Sequence, residues 1–111
     1  MAIHETRSNI YTAAASVTNG TATSLIAADA DYFTDIIEVT LSSNTTVAGV
    51  QVSLLQDGSV VRTVQVPQNS TLQLLFDAPL AAIRKNTVWA VDMEDISGTT
   101  VTVGARFIKS A

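Results

Sequence analysis

Residues 47–66, VAGVQVSLLQDGSVVRTVQV, decide the fold class. Ala48, Val50, Val52 and Leu54 alternate with Gly49, Gln51 and Ser53, the period of two expected of a strand with one buried face. Asp57-Gly58 then interrupts the run. Both residue types tolerate positive φ, so the pair predicts a two-residue type I′ hairpin. Beyond it, Val60, Val64 and Val66 share a face with Arg62. The opposite face, with Val61, Thr63 and Gln65, reads nearly as well, so both facings stay open.

The same grammar extends in both directions, at about one strand per ten residues. Ile10–Val17 reads as a strand, although its alanines also suit a helix. Asn19-Gly20 is a second hairpin signal, leading into Thr21–Ile26. Ala27–Asp31 is a turn or one helical turn. In Phe33–Ser42, Ile37, Val39 and Leu41 share one face and Glu38 and Thr40 the other. Ser70–Phe76 alternates Leu72, Leu74 and Phe76 with Thr71, Gln73 and Leu75, and Asp77-Ala78-Pro79 reads as a turn. Leu80–Lys85 is a short helical turn or a loop. Thr87–Met93 carries Trp89, Val91 and Met93 on one face. Thr99–Ile108 carries Val101, Val103, Ala105 and Phe107. The prediction is an all-β chain: a single sandwich of about eight short antiparallel strands, jelly-roll-like or immunoglobulin-like, over residues 10–111. Residues 1–9 are polar and without period, and read as an N-terminal arm.

Charge is scarce. Only 14% of the 111 residues are charged, against about 25% in an ordinary soluble domain. Thr, Ser and Gln stand in for Lys and Glu on the predicted strands, and charges gather in the arm and turns. Exposed sheets normally discourage pairing with charge, especially Lys. The reading is that at least one sheet face or edge is covered by another subunit. The net charge of −4 and the six Lys and Arg residues argue against nucleic-acid binding, which needs a basic stripe. Arg84-Lys85 reads as a solvated turn. There is no cysteine, hence no disulfide or thiolate chemistry. The uncharged stretch 8–28 is too polar to span a membrane, and the N-terminus lacks the pattern of a signal peptide. Asn19, Asn44 and Asn69 match N-x-Ser/Thr but read as loop chemistry.

Catalytic patterns are missing. The one histidine, His4, lies in the arm, where it lacks the packed, oriented setting of a hydrolytic triad. One histidine without cysteine leaves no ordinary zinc site. Asp29, Asp31 and Asp35 lack the glycine and closing glutamate of a calcium loop. Asp92, Glu94 and Asp95 read as a solvated hairpin tip. No enzyme activity, metal or cofactor is expected. Trp89 reads as core. An exposed Tyr11 or Trp89 beside carboxylates would favour glycan binding, and burial of both rings would oppose it.

Residues 9–14 (NIYTAA), 23–29 (TSLIAAD), 56–58 (QDG), 66–70 (VPQNS) and 74–80 (LLFDAPL) together resemble small β-sandwich virion proteins of tailed bacteriophages, of the capsid decoration or cement type. The resemblance covers most of the chain from residue 9 and rests on pattern and composition. It implies a homo-oligomer, a trimer favoured, made in the host bacterial cytoplasm. That oligomer would sit on the outer capsid surface and bridge major capsid protein subunits, with many weak contacts repeated over the shell. Two alternatives stand beside it: another virion interaction module, as a head-fibre or tail subunit or a host-glycan binder, and a non-viral β-sandwich, such as a small bacterial surface or assembly domain. The arm and its root, with Ile3, His4, Arg7, Ile10 and Tyr11, are the expected interface, the arm pairing with a neighbouring edge strand.

Overall fold

The computed structural model of the chain describes residues 10–18, 22–44 and 49–111. They form eight strands: β1 (Ile10–Thr18), β2 (Thr23–Ile26), β3 (Phe33–Ser43), β4 (Val50–Gln56), β5 (Ser59–Val66), β6 (Thr71–Leu80), β7 (Trp89–Met93) and β8 (Thr100–Ser110). Two antiparallel sheets result, ordered β1-β8-β3-β6 and β2-β7-β4-β5. The first strand pairs with the last, the second with the seventh, the third with the sixth and the fourth with the fifth. The chain is thus one long hairpin, bent at Asp57-Gly58 and rolled across two sheets, which is the jelly roll. An immunoglobulin-type sandwich keeps its first two strands in one sheet; here they lie in opposite sheets.

The central bend follows its chemistry. Asp57 and Gly58 have φ of 50° and 86°, the positive values a type I′ turn requires. The Asp57 N–H donates to the Val88 carbonyl at 2.9 Å, and Asp57 Oδ1 accepts from the Val88 N–H at 3.0 Å. The core lies between the sheets and is built by the predicted alternations: Val50, Val52 and Leu54; Trp89, Val91 and Met93; Val101, Val103, Ala105 and Phe107. Trp89 is fully buried. Its Nε1–H donates to the Thr34 carbonyl at 2.8 Å, tying β7 to β3 across the sandwich.

Four local readings need correction. Asn19-Gly20 lies outside the described residues, and the strands on either side of it, β1 and β2, belong to different sheets and so form no hairpin. The face of β3 is set by a register shift between Ile36 and Glu38. That shift puts Thr34 and Ile36 in line with Val39 and Leu41, so Ile36 is fully buried in place of Ile37. In β5 a shift opposite Leu54–Leu55 leaves Val61 as the extra residue. Facing therefore changes along the strand: Val61, Val64 and Val66 pack on the core, while Val60 is 58% exposed. Asp77-Ala78-Pro79 is an irregular part of edge strand β6, which resumes pairing at Leu80; proline is tolerated there because an edge leaves one side of the backbone unpaired. Residues 81–88 form a loop without helix.

Candidate interaction surface

The outer face of the β1-β8-β3-β6 sheet is assembled in rows. Ser16, Thr102, Ser42 and Thr71 lie in register across all four strands. Ser42 and Thr71 share a hydroxyl–hydroxyl hydrogen bond of 3.0 Å. The next row is Ala14, Gly104, Thr40 and Gln73, and the third is Thr12, Arg106, Glu38 and Leu75. The charges of the third row neutralise each other, with Arg106 3.6 Å from Glu38 and Gln73 also donating to Glu38. A Cβ built on Gly104 would meet nothing within 4 Å, so the centre of the face is a shallow notch where another backbone can approach. This face carries hydroxyls, small residues and one internal ion pair, with Leu75 on edge strand β6 exposed at its margin.

The outer face of the other sheet is similar, with Ser53 and Thr63 hydroxyls 3.3 Å apart. At its end Gln51, Ser53, Asp92, Met93 and Glu94 line a depression of about 210 Å³. Its acids serve the backbone. Glu94 Oε1 accepts the Gln51 N–H at 2.8 Å, the Glu94 N–H donates to the Gln51 carbonyl at 3.0 Å, and Asp92 Oδ1 accepts the Met93 N–H at 2.9 Å. No group of three or more acidic or histidine side chains among the described residues is placed to hold a metal ion.

The opposite end holds the predicted interface residues that fall within the description. Ile3, His4 and Arg7 lie outside the described residues. Ile10 opens β1 opposite Ile108. Tyr11 stacks on Phe107 with centroids 5.7 Å apart and keeps 39% of its surface exposed. Lys109 Nζ lies 4.8 Å from the Tyr11 ring centre and 5.8 Å from that of Tyr32, and 3.2 Å from Asp29 Oδ2. Tyr32 is as exposed as Tyr11. The Asp31 N–H donated to Asp29, with Lys109 second, holds the Asp29 carboxyl below the ordinary aspartate value. Asp57 at the hairpin is likewise lowered, first by the Val88 N–H and then by Arg84, whose Nε is 3.1 Å away.

Topology gives the charge a direction that the linear sequence hides. Arg62, whose guanidinium lies over Phe76, and Arg84, Lys85, Arg106 and Lys109 all fall in the half of the sandwich from which the arm leaves. The far end carries Asp92, Glu94 and Asp95 and no described cation. Tyr32 and the cation cluster were not legible as a site, since Asp29, Tyr32 and Lys109 meet only after β3 and β8 have paired.

No family model and no curated protein matches the chain. Solved structures do. Over 90% of its length the chain is similar to a chain of the "Cyanophage Pam1 capsid asymmetric unit", with a TM-score of 0.60, 16% identity and 84% of that chain covered. It is similar to PirA over 86% of its length, with a TM-score of 0.54, 13% identity and 93% of that chain covered. A third likeness is to the insecticidal delta-endotoxin Cry8Ea1 of Bacillus thuringiensis, at a TM-score of 0.53 and 9% identity, where this chain spans 20% of the toxin. At these identities the likeness is one of fold.

Proposed function

We propose that the chain is a structural virion protein of a tailed bacteriophage, a capsid decoration or cement protein that binds major capsid protein subunits on the outer head surface. The observation that carries this reading is the jelly roll shared along most of its length with a chain of a cyanophage capsid. Self-association, a trimer favoured, and a location on the virion belong to the same reading. The low charge of the two outer sheet faces supports it, because the centres of protein interfaces are depleted in charge. The work is binding alone, without catalysis, cofactor or nucleic acid. Many copies, each adding modest contact area across capsid joints, raise the strength of the shell through multivalency.

The test is co-sedimentation of the purified chain with DNA-free heads that lack it, from the phage that encodes it. Saturable binding at a fixed copy number per head, with a higher rupture temperature, is expected. Heads that bind none of it overturn the reading. Tyr11 and Tyr32, exposed beside Asp29, favour a second reading as a host-glycan-binding virion module, to which the buried Trp89 lends no ring. Retention on an immobilised glycan that is abolished by Tyr11→Ala and Tyr32→Ala would select it.

A further inference from the structure

Four strands close the two sheets: β1 and β6 in one, β2 and β5 in the other. Three of them are guarded. β2 has only four residues and a register shift. β6 carries Asp77 and Pro79 in an irregular stretch. β5 is bulged beside Arg62. Shortness, bulges, proline and charge are the devices that stop an edge from recruiting further strands. β1 has none of them. Its nine residues pair with β8 without a shift and include no charge and no proline. Thr12, Ala14, Ser16 and Thr18 are exposed along it. The nearest described lysine, Lys109, is engaged by Asp29. Among the described residues no strand pairs with the other side of β1.

We propose that this edge receives the N-terminal arm, residues 1–9, of a second copy of the chain, added antiparallel as a fifth strand of the β1-β8-β3-β6 sheet. Length and position single out this occupant. The arm and β1 each have nine residues, so one extended arm spans the whole edge, a distance of about 30 Å. The arm ends where β1 begins. Reciprocal donation therefore makes residues 1–18 of two copies one continuous antiparallel pair, each arm lying on the other copy's β1. A copy's own arm is poorly suited to the place. Ile10 is already paired with Ile108, and Ser8-Asn9 offers no two-residue hairpin turn such as Asp57-Gly58 provides. The inference rests on the self-association of the proposed function, gives it a two-fold pair in place of a three-fold ring, and makes no use of capsid binding.

The chain has no cysteine, so engineered pairs report without background. Thr6→Cys is combined in turn with Thr12→Cys, Ala13→Cys and Ala14→Cys, in a mixture of two differently tagged chains. Mild oxidation is expected to link the two tags at one of these positions. Deleting residues 2–9 is expected to raise the dissociation midpoint at least tenfold by light scattering, with native Trp89 fluorescence retained as the sign of an intact fold. A full-length chain that is monomeric at every concentration, an oligomer unchanged by the deletion, or links formed only within one chain overturns the proposal. Head binding is measured in parallel: an arm-linked oligomer that binds no head overturns the virion reading and leaves this one standing.

Discussion

Thr34→Val should make the protein more stable, and Thr87→Val should make it less so. Both threonines are 1% exposed. Thr87 Oγ1 donates to the Arg84 carbonyl at 2.6 Å. Thr34 Oγ1 is buried on the inner face of β3 with no hydrogen-bond partner among the described residues. A buried hydroxyl without a partner costs about 1–3 kcal/mol in protein mutational data. Valine has the same shape and the same preference for strands, and its methyl adds roughly 0.8 kcal/mol of apolar burial. Thr34→Val is therefore expected to stabilise by about 2 kcal/mol, which raises Tm by roughly 8–16 °C in a domain near this size. Thr87→Val loses a satisfied bond and strands a carbonyl, for a loss of about 1–2 kcal/mol. Urea titrations followed by the single buried tryptophan, at one fixed protein concentration, read both. The expected pattern is opposite shifts of the midpoint with an unchanged slope. A midpoint for Thr34→Val at or below the parent value would refute the reasoning, since it would mean that the hydroxyl is satisfied in solution.

Three further outcomes follow from the geometry. Asp29 and Asp57 are held below the ordinary aspartate value of 3.8, so below about pH 5 the unfolded chain binds more protons than the folded one. Their contribution to stability is then full at neutral pH and is lost as pH falls through the folded values; Asp29→Asn with Asp57→Asn should flatten the acid limb of a urea-midpoint profile, and an unchanged slope would count against the assignment. Gly58→Ala meets no steric obstacle but must hold φ of 86°; the left-handed conformation should cost about 1–2 kcal/mol, read as a lower midpoint. Gly104→Arg should leave the stability of the free chain within about 0.5 kcal/mol while weakening head binding at least tenfold; undiminished binding would remove that sheet face from the docking surface.

Much of the fold was legible because it is local. Asp57-Gly58 carries its turn type in its own φ preferences, and the alternation of β4, β7 and β8 survives into the core unchanged. The errors arose where one residue changes parity. The shift at Ile37 and the bulge at Val61 each move every later side chain to the other face, and nothing in an apolar, β-branched run marks where the extra residue sits. Asn19-Gly20 misled for a different reason: a turn dipeptide specifies local geometry, whereas the partners of β1 and β2 are strands 82–98 and 63–68 residues further along the chain. The proposed surface was less legible than the fold. Low charge pointed to a covered face, but only the register lines Ser16, Thr102, Ser42 and Thr71 into a row, and only the strand order shows that β1 is the unguarded edge.

The rolled hairpin also sets a timetable for synthesis. Of the described strands, β1 leaves the ribosome first and its ladder partner β8 last. At translation rates of about 5–20 residues per second, β1 waits roughly 5–20 s for a partner. The inner pair, β4 with β5, closes early across a short loop, and each longer closure must follow from the inside outward. A strongly apolar first strand would be exposed to chance pairing throughout that interval. Its composition, IYTAAASVT, keeps the waiting strand small and hydroxyl-rich, wettable while it is alone and still regular enough to dock when β8 arrives.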